Sequence, residues 1–146
     1  MTDYTIRSAT QADAETIKQI VRANPLDPNA IDWHYFLVLE VMESGQPKIA
    51  SIGMAHPADD VMEIDSVATL PPYRKRGYAA AIVHALIERH PEPLYLLAED
   101  QLTHYYQKFG FREMTDDAPP TMIQQRDWVN SFMHGSRTYH VMGRTL

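Results

Sequence analysis

The chain contains no cysteine among its 146 residues, and this absence removes three kinds of chemistry at once. Disulfide bonds, thiolate metal sites and cysteine nucleophiles are all excluded. A chain without disulfides is compatible with the reducing cytoplasm, which we take as its expected location.

Positive charge and long apolar runs are also scarce. Lysine and arginine number 13 against 19 acidic residues, which gives a formal net charge of −6. A nucleic-acid-binding protein needs a basic face, so we expect no nucleic-acid partner. The acidic balance suits a cationic partner such as an amine, and solubility alone explains it equally well. Residues 35–42 and 79–87 are the longest apolar stretches and are too short to span a bilayer, so we expect no membrane association.

Several further patterns are missing. The N-terminal segment MTDYTIRSAT has neither the basic nor the apolar part of a signal peptide. The seven histidines show no close pairing on one helical face, so we predict no metal site. There is no internal repeat, linker or low-complexity segment. The length is typical of one compact domain, which we predict to cover residues 1–146.

The periodicity of apolar residues predicts an alternating series of strands and helices. Thr10 is a predicted helix N-cap, followed by an apolar stripe that ends near Val21. Residues 22–32 are predicted as a loop or a short helix, and residues 115–137 as irregular or partly helical. The order β-α-β-β-β-α-β-α-β predicts a mixed sheet with helices on its faces. The predicted strands cover residues 4–7, 35–42, 48–56, 61–70, 94–98 and from 111, and the later helices cover 77–90 and 102–109. Residues 138–142 are a candidate for a last strand.

The segment from Arg74 to Ala79 has the form R-x-x-G-x-A and stands between a predicted strand and a helix. Gly77 allows the backbone to approach a ligand closely, and the first N–H groups of a helix have no intrahelical partner. These donors lie at the positive end of the helix dipole, which favours an anion such as a pyrophosphate. A solvated basic loop is the alternative. The pattern lacks the G-K-[ST] of a phosphate-binding Walker loop and the glycines of G-x-G-x-x-G.

This segment resembles motif A, [QR]-x-x-G-x-[GA], of the GNAT superfamily of acetyltransferases. The later HYYQKFGF resembles its motif B, Y-x-x-x-G-F, with Tyr106, Gly110 and Phe111 at the three positions. The resemblance covers residues 4–113. It implies an α/β GNAT fold, with a mixed, mostly antiparallel central sheet flanked by helices on both faces and strands that splay at an acetyl-CoA site.

The resemblance also implies a cosubstrate, acetyl-CoA, and no metal. The pantetheine arm would pair with the backbone of Val67, Ala68 and Thr69 as an added strand. Plain strand packing of these residues is compatible with that role, because the contact uses main chain. Many family members carry an asparagine where this chain has Glu99. A carboxylate cannot copy the donor role of that amide towards the pantetheine, so Glu99 is instead a candidate to face an amine. The implied pyrophosphate loop consists of Arg74, Lys75, Arg76, Gly77, Tyr78, Ala79 and Ala80.

Acetyl transfer to an amine needs a base, since an alkylamine with a pKa of about 10.4 is protonated at neutral pH. Glu63, in MEIDSVA, stands where the histone-acetylating branch of the superfamily carries its glutamate base. Asp65 shares the same strand face and is the second candidate, and two acids at a wet strand end are the alternative. Tyr106 resembles the family's general acid, and Tyr105 points about 100° away on the helix. Packing of the helix on the sheet is the alternative role for Tyr106.

The leading interpretation is therefore an acetyl-CoA-dependent N-acetyltransferase. It would move the acetyl group to a primary amine of a small molecule or peptide by direct attack in a ternary complex. The first alternative is a non-catalytic acyl-CoA-binding module of the same fold that regulates a protein partner. The second is an unrelated α/β domain with a fortuitous basic turn. Trp33, Trp128 and Phe132 could line the pocket of the acceptor, form a homodimer contact or belong to the core.

Overall fold

The computed structural model describes residues 3–22, 32–132 and 138–145. The predicted loop at 22–32 lies largely outside these residues, as does the end of the 115–137 segment. The strands are β1 Tyr4–Ser8, β2 Phe36–Glu43, β3 Gln46–Ala58, β4 Val61–Thr69, β5 Leu94–Glu99, β6 Arg112–Met114 and β7 Tyr139–Arg144. The α-helices are α1 Ala14–Arg22, α2 Tyr78–Arg89, α3 Thr103–Gln107 and α4 Pro120–Phe132.

The strands form a seven-stranded sheet in the order β1-β2-β3-β4-β5-β7-β6. The pairs β1–β2, β2–β3, β5–β7 and β6–β7 are antiparallel, and β4–β5 is parallel. This architecture confirms the predicted α/β class with a mixed, mostly antiparallel sheet. Among the described helices, none is both long and apolar enough to cross a bilayer.

Two compact units are distinguished by their internal contacts. The first comprises Met1–Ala55 and Ser66–Arg89, and the second comprises His56–Asp65 and His90–Leu146. The boundary passes through β3 and β4, so each unit takes part of both strands. That the whole chain is one domain stays a prediction.

The first unit packs helices on the antiparallel strands β1, β2 and β3. Ile17 of α1, Val38 of β2 and Ile52 of β3 are fully buried in its core. A Cβ added at Gly53 would lie 2.5 Å from Cγ2 of Ile82, so α2 approaches β3 too closely for any side chain there. Glycine at this position therefore sets the distance between the helix and the strand.

An ionic network fixes the start of the first helix in the same unit. Arg7 of β1 donates to Asp13 Oδ2 at 2.7 Å and to Glu40 Oε1 of β2 at 3.0 Å. The backbone N–H of Thr10 donates to Asp13 Oδ2 at 2.7 Å, and Thr10 precedes the short 3₁₀ turn that leads into α1. Thr10 thus caps the helix as the sequence predicts.

The second unit is built on β5, β7 and β6, with α4 packed beside them. Met122 of α4 and Val141 of β7 are fully buried in one apolar cluster. The side chain of Asn130 closes two hydrogen bonds with the backbone of Tyr139, donating to its oxygen at 3.1 Å and accepting from its N–H at 2.8 Å. This amide pairing fixes the C-terminal half of α4 against the start of β7, in a segment for which the sequence predicted no more than partial helix.

The network at Asp13 gives a testable dependence of stability on pH. The Arg7 guanidinium lowers the pKa of Asp13 from 3.8 to about 2. A lowered pKa contributes stability above about pH 4, and that stability is lost as the pH falls towards 2. We expect Asp13→Asn to lower the free energy of unfolding by about 2 kcal/mol at pH 7 and by much less near pH 2. Urea unfolding across this range measures it.

The matched control is Glu15→Gln, which removes an exposed carboxylate two residues further along, in the first turn of α1. It should change stability by less than about 0.5 kcal/mol. Equal losses from both substitutions would contradict a specific role for the Arg7–Asp13 pair.

Candidate active site

Three titratable side chains of the second unit meet beside the β3–β4 turn. His56 Nε2 lies 3.3 Å from Glu63 Oε1 and 3.9 Å from Asp65 Oδ2. Their exposure differs, since the side chain of Glu63 is 6% exposed, that of His56 21% and that of Asp65 35%. The two acids contact the same imidazole, so they share one face of β4 as the sequence predicts. Glu63 is the buried member and Asp65 the one that faces water.

His56 is the member of this cluster that the sequence reasoning missed. β3 ends at Ala58 and β4 begins at Val61, which leaves a two-residue turn at Asp59 and Asp60. His56 precedes this turn by as many residues as Glu63 follows it. An antiparallel hairpin therefore brings the two residues opposite each other. The predicted strand ended at His56 and the predicted turn began at Pro57, which hid the pairing.

The acids determine the charge of His56. Its pKa is raised above 6.5, chiefly by the hydrogen bond with Glu63, while burial opposes the rise. The carboxylates of Glu63 and Asp65 add a smaller electrostatic contribution in the same direction. His56 therefore keeps its proton to a higher pH than an exposed histidine does.

A fourth side chain reaches Glu63 from α4. With its amide nitrogen turned towards the carboxylate, Gln125 donates to both oxygens of Glu63 at 3.2 and 3.1 Å. The opposite orientation would set the amide oxygen against two acceptors. The buried carboxylate is thus contacted by a neutral donor on one side and by an imidazole on another.

Tyr106 lies on α3, in the same unit. Its ring packs edge-on against Phe111 and tilted against Phe109, with ring centroids 6.1 and 6.2 Å apart. Burial raises the pKa of the Tyr106 phenol to about 12, with smaller contributions from Tyr105 and from the Asp65 carboxylate. The phenol is therefore protonated at neutral pH, and it lies close enough to Asp65 to respond to its charge.

The predicted anion-binding loop belongs to the first unit. Gly77 has φ = 82°, and a Cβ built there meets no protein atom within 4 Å. The backbone of Lys75 is also left-handed, with φ = 66°. The first helical hydrogen bond of α2 runs from Ala81 N–H to Gly77 oxygen at 3.0 Å, so the N–H groups of residues 78–80 have no acceptor within the helix. These features leave room and donors for an anion.

The side chains of this loop differ in exposure. Arg74, Lys75 and Arg76 are exposed, and Ala79 and Ala80 are partly buried. Arg74 donates to the carbonyl of Thr69 at 3.2 Å, and the Arg76 guanidinium stacks 5.8 Å from the centroid of the Tyr73 ring. Tyr78 is buried and packs edge-on against Tyr4, with ring centroids 5.6 Å apart. The side chain of Tyr78 thus anchors the helix, which leaves only its backbone for a ligand.

The predicted pantetheine-binding stretch, Val67, Ala68 and Thr69, forms the end of β4 and is partly buried. Ser51 of β3 donates its hydroxyl to the carbonyl of Ala68 at 2.9 Å and lies 2.9 Å from the Thr69 hydroxyl. Just before this stretch, Ser66 has a left-handed φ of 55° inside the strand, which interrupts the alternation of side chains. The register of β4 with β5 covers Met62 and Glu63, upstream of the interruption.

The remaining candidate residues are Glu99 and three aromatic side chains. Glu99 accepts a hydrogen bond from the Tyr139 hydroxyl at 2.9 Å, which gives this carboxylate a structural partner. Trp128 and Phe132 pack edge-on with centroids 4.7 Å apart and are 62% and 41% exposed, so they do not belong to the core. Trp33 is partly buried against the core of the first unit.

The cluster at Glu63 contains side chains of the types that bind metal ions. The donor atoms of His56, Glu63 and Asp65 lie within 4.8 Å of one another. Direct contact between the imidazole and the carboxylate accounts for this spacing without an ion. The absence of a metal stays a prediction.

The coupling between His56 and Glu63 can be measured directly by following the imidazole signals of His56 in an NMR pH titration. We expect Glu63→Gln to lower the titration midpoint, because the main cause of the raised pKa is removed while burial still lowers it. Asp65→Asn should lower it less. A midpoint that is unchanged in Glu63→Gln would show that the two side chains do not interact in solution.

Comparison with known proteins identifies the chain. The sequence profile described as the acetyltransferase (GNAT) family matches residues 5–111. A comparison with curated protein sequences gives no match.

Solved structures with the same fold are numerous. Rv2747 from Mycobacterium tuberculosis, in complex with CoA and NLQ, superposes with a TM-score of 0.74 at 20% identity, covering 97% of this chain and 99% of that one. The ribosomal-protein-S18-alanine N-acetyltransferase from Escherichia coli gives 0.67 at 20% identity, covering 98% and 95%.

N-acetylglutamate synthase from Neisseria gonorrhoeae, complexed with coenzyme A and N-acetyl-glutamate, gives 0.73 at 18% identity, covering 99% of this chain and 35% of that one. This chain therefore spans about a third of the length of that synthase. At these identities the likeness shows a common fold. The match of the family profile over most of the sequence, on a sheet of the matching fold, establishes that this chain belongs to the acetyltransferase (GNAT) family.

Proposed function

We propose that the protein is an acetyl-CoA-dependent N-acetyltransferase that acts on a primary amine of a small molecule or peptide. The observation that carries this proposal is the buried carboxylate of Glu63, held beside His56 and Asp65 in a chain of this family. Buried ionised groups cost free energy unless they are paired, and they concentrate at sites that perform acid–base chemistry. Relatives in the same fold whose structures contain CoA support the choice of cosubstrate.

Acetyl-CoA would bind through backbone groups. Its pyrophosphate would lie at Gly77 and at the N–H groups of Tyr78, Ala79 and Ala80. A Cβ added at Gly77 would meet no protein atom within 4 Å, which leaves room for the phosphates. The exposed side chains of Arg74, Lys75 and Arg76 would add positive charge around it. The pantetheine would pair with Val67, Ala68 and Thr69 by strand addition.

Glu63 would serve as the base. An ammonium substrate loses one proton before its nitrogen attacks the thioester carbonyl, and the carboxylate can take that proton directly or through a water. His56 contacts Glu63 and is more exposed, so it offers a path from the buried carboxylate to solvent. Asp65 is the alternative base, because it is the more exposed acid and faces the same imidazole. Two acids around one imidazole also provide negative potential for a cationic amine.

Tyr106 would stabilise the departing thiolate of CoA. A free thiol has a pKa of about 8.5, so a phenol near 12 is a weaker acid by about three units. Complete proton transfer to the thiolate would therefore be uphill, whereas a hydrogen bond from the phenol to the developing charge is favourable. The burial of Tyr106 makes its role as general acid mainly that of a hydrogen-bond donor.

The competing proposal is a CoA-binding module that regulates a protein partner without turnover. Such a module would use the loop at Gly77 but would gain nothing from a buried, paired Glu63, which costs desolvation energy. The cluster around Glu63 therefore favours the enzyme. We further propose that the chain acts as a single domain in the cytoplasm, without nucleic acid, membrane or metal. The exposed pair Trp128 and Phe132 is a candidate contact for a homodimer.

Calorimetry of CoA binding tests the cofactor site, with two glycines as a matched pair. Gly77→Ala and Gly45→Ala both place a Cβ at a left-handed backbone, φ = 82° and 77°, with open space around it. Both should cost about 1 kcal/mol of stability. We expect only Gly77→Ala to weaken CoA binding, by about tenfold or more, since its Cβ occupies the proposed anion site. Equal affinities of both variants for CoA would place the cofactor elsewhere.

Release of the CoA thiol in the presence of a panel of amines tests the activity. Wild-type protein should release thiol from acetyl-CoA with at least one primary amine. Tyr106→Phe should lower the turnover by about 10²-fold, while its affinity for acetyl-CoA and its melting temperature change little.

Tyr105→Phe is the control, because Tyr105 precedes Tyr106 on α3 and stacks under Lys108, with Nζ 5.7 Å from the ring centroid. It should stay within about twofold of the wild type. Similar small effects from both substitutions in an active preparation would show that Tyr106 only packs. Tight CoA binding without thiol release for any amine would favour the regulatory module.

A further inference from the structure

A polar residue occupies a core-facing position of α4. Met122 and Val129 are buried, and Gln125 lies three residues after the first and four before the second, on the same stripe of the helix. Residues at this spacing face the same neighbour. An apolar side chain would be expected at such a position, and Gln124 beside it is exposed. Gln125 therefore needs a polar partner, and it finds one in Glu63.

The contact between Gln125 and Glu63 has a defined geometry. One amide nitrogen of Gln125 lies 3.2 and 3.1 Å from the two oxygens of Glu63 and donates between them. A carboxylate that is 6% exposed has lost most of its water, and each lost hydrogen bond has to be replaced within the protein. The amide replaces them without bringing a charge.

Contacts on both sides of Gln125 fix the position of α4. Asn130, five residues further along α4, closes two hydrogen bonds with the backbone of Tyr139 at 3.1 and 2.8 Å. Met122, three residues before Gln125, is fully buried. Anchors on both sides leave the Gln125 side chain little freedom to withdraw from the carboxylate.

The charged and titratable groups around Glu63 are few among the described residues. His56 approaches from β3 and Asp65 from the same strand, while Tyr95 is the register partner on β5. Tyr106 on α3 lies near Asp65. On α4, Arg126 pairs with its neighbour Asp127 at 3.0 Å. The group of α4 that contacts Glu63 is the neutral amide of Gln125.

We propose that Gln125 is a positioning residue, which holds the buried Glu63 carboxylate aimed for proton transfer without bringing a charge of its own. An arginine or lysine at this position would form an ion pair and lower the basicity of the carboxylate. A neutral donor stabilises the charge less and keeps the carboxylate able to accept a proton. The inference rests on the proposed function, and Gln125 lies outside residues 5–111, which the family profile covers.

The test replaces Gln125 by methionine, which keeps the length and flexibility of the side chain but removes its donors. Loss of hydrogen bonds to the charged form favours the protonated carboxyl. The acid limb of kcat/KM against pH should move to higher pH by about one unit. kcat/KM on that limb should then fall by about tenfold, and the value on the high-pH plateau should change much less. Gln124→Met, an exposed position on the same helix, should reproduce the wild-type profile.

A second readout needs no activity. The ¹³C signal of the Glu63 side-chain carboxyl, followed against pH in the free protein, should shift its midpoint upwards in Gln125→Met and remain unchanged in Gln124→Met. If Gln125→Met fails to fold, Gln125→Glu keeps the shape of the side chain and should move the midpoint upwards further, because like charges repel.

The two readouts separate the two proposals. A shifted carboxyl midpoint in a protein that transfers no acetyl group would support the role of Gln125 and refute the proposed function. Active enzyme with an unchanged acid limb and an unchanged carboxyl midpoint in Gln125→Met would overturn the inference about Gln125.

Discussion

The burial of one carboxylate, that of Glu63, is the constraint on which the arrangement of the second unit depends. A carboxylate that is 6% exposed is stable in its charged form only if protein groups replace its water. Two elements distant in sequence supply them, β3 through His56 and α4 through Gln125. The hairpin turn at Asp59 and Asp60 and the anchoring of α4 by Asn130 can both be understood as ways of meeting this requirement.

The same constraint connects structure to chemistry. Glu63 is shielded from bulk water beside an imidazole and an amide, and the more exposed His56 joins it to solvent. Burial of Tyr106 raises the pKa of its phenol to about 12 and keeps the proton in place. In the proposed reaction, one unit therefore holds both a proton acceptor and a hydrogen-bond donor, which transfer of an acetyl group from a thiol to an amine requires. The backbone donors at Gly77 suit the phosphates of the cosubstrate.

Much of the fold could be predicted from the sequence because its signals are local. The cap at Thr10, the strand around Val38 and the turn glycine at Gly77 each depend on neighbours along the chain. The partners of Glu63 could not be predicted in the same way. His56 depends on the exact length of a turn, and Gln125 looks like an ordinary polar residue until the stripe of Met122 and Val129 is known to be buried. Contacts between distant elements are fixed by packing, which local patterns do not encode.

We propose that Glu63, and not the more exposed Asp65, takes the proton from the amine. The most direct measurement compares kcat/KM for amine acetylation in Glu63→Gln and Asp65→Asn over a range of pH. We expect Glu63→Gln to lower kcat/KM by about 10²-fold or more and to abolish the acid limb, while Asp65→Asn keeps that limb and loses far less activity. Normal turnover in Glu63→Gln, together with a large loss of activity in Asp65→Asn, would contradict the assignment of Glu63 as the base.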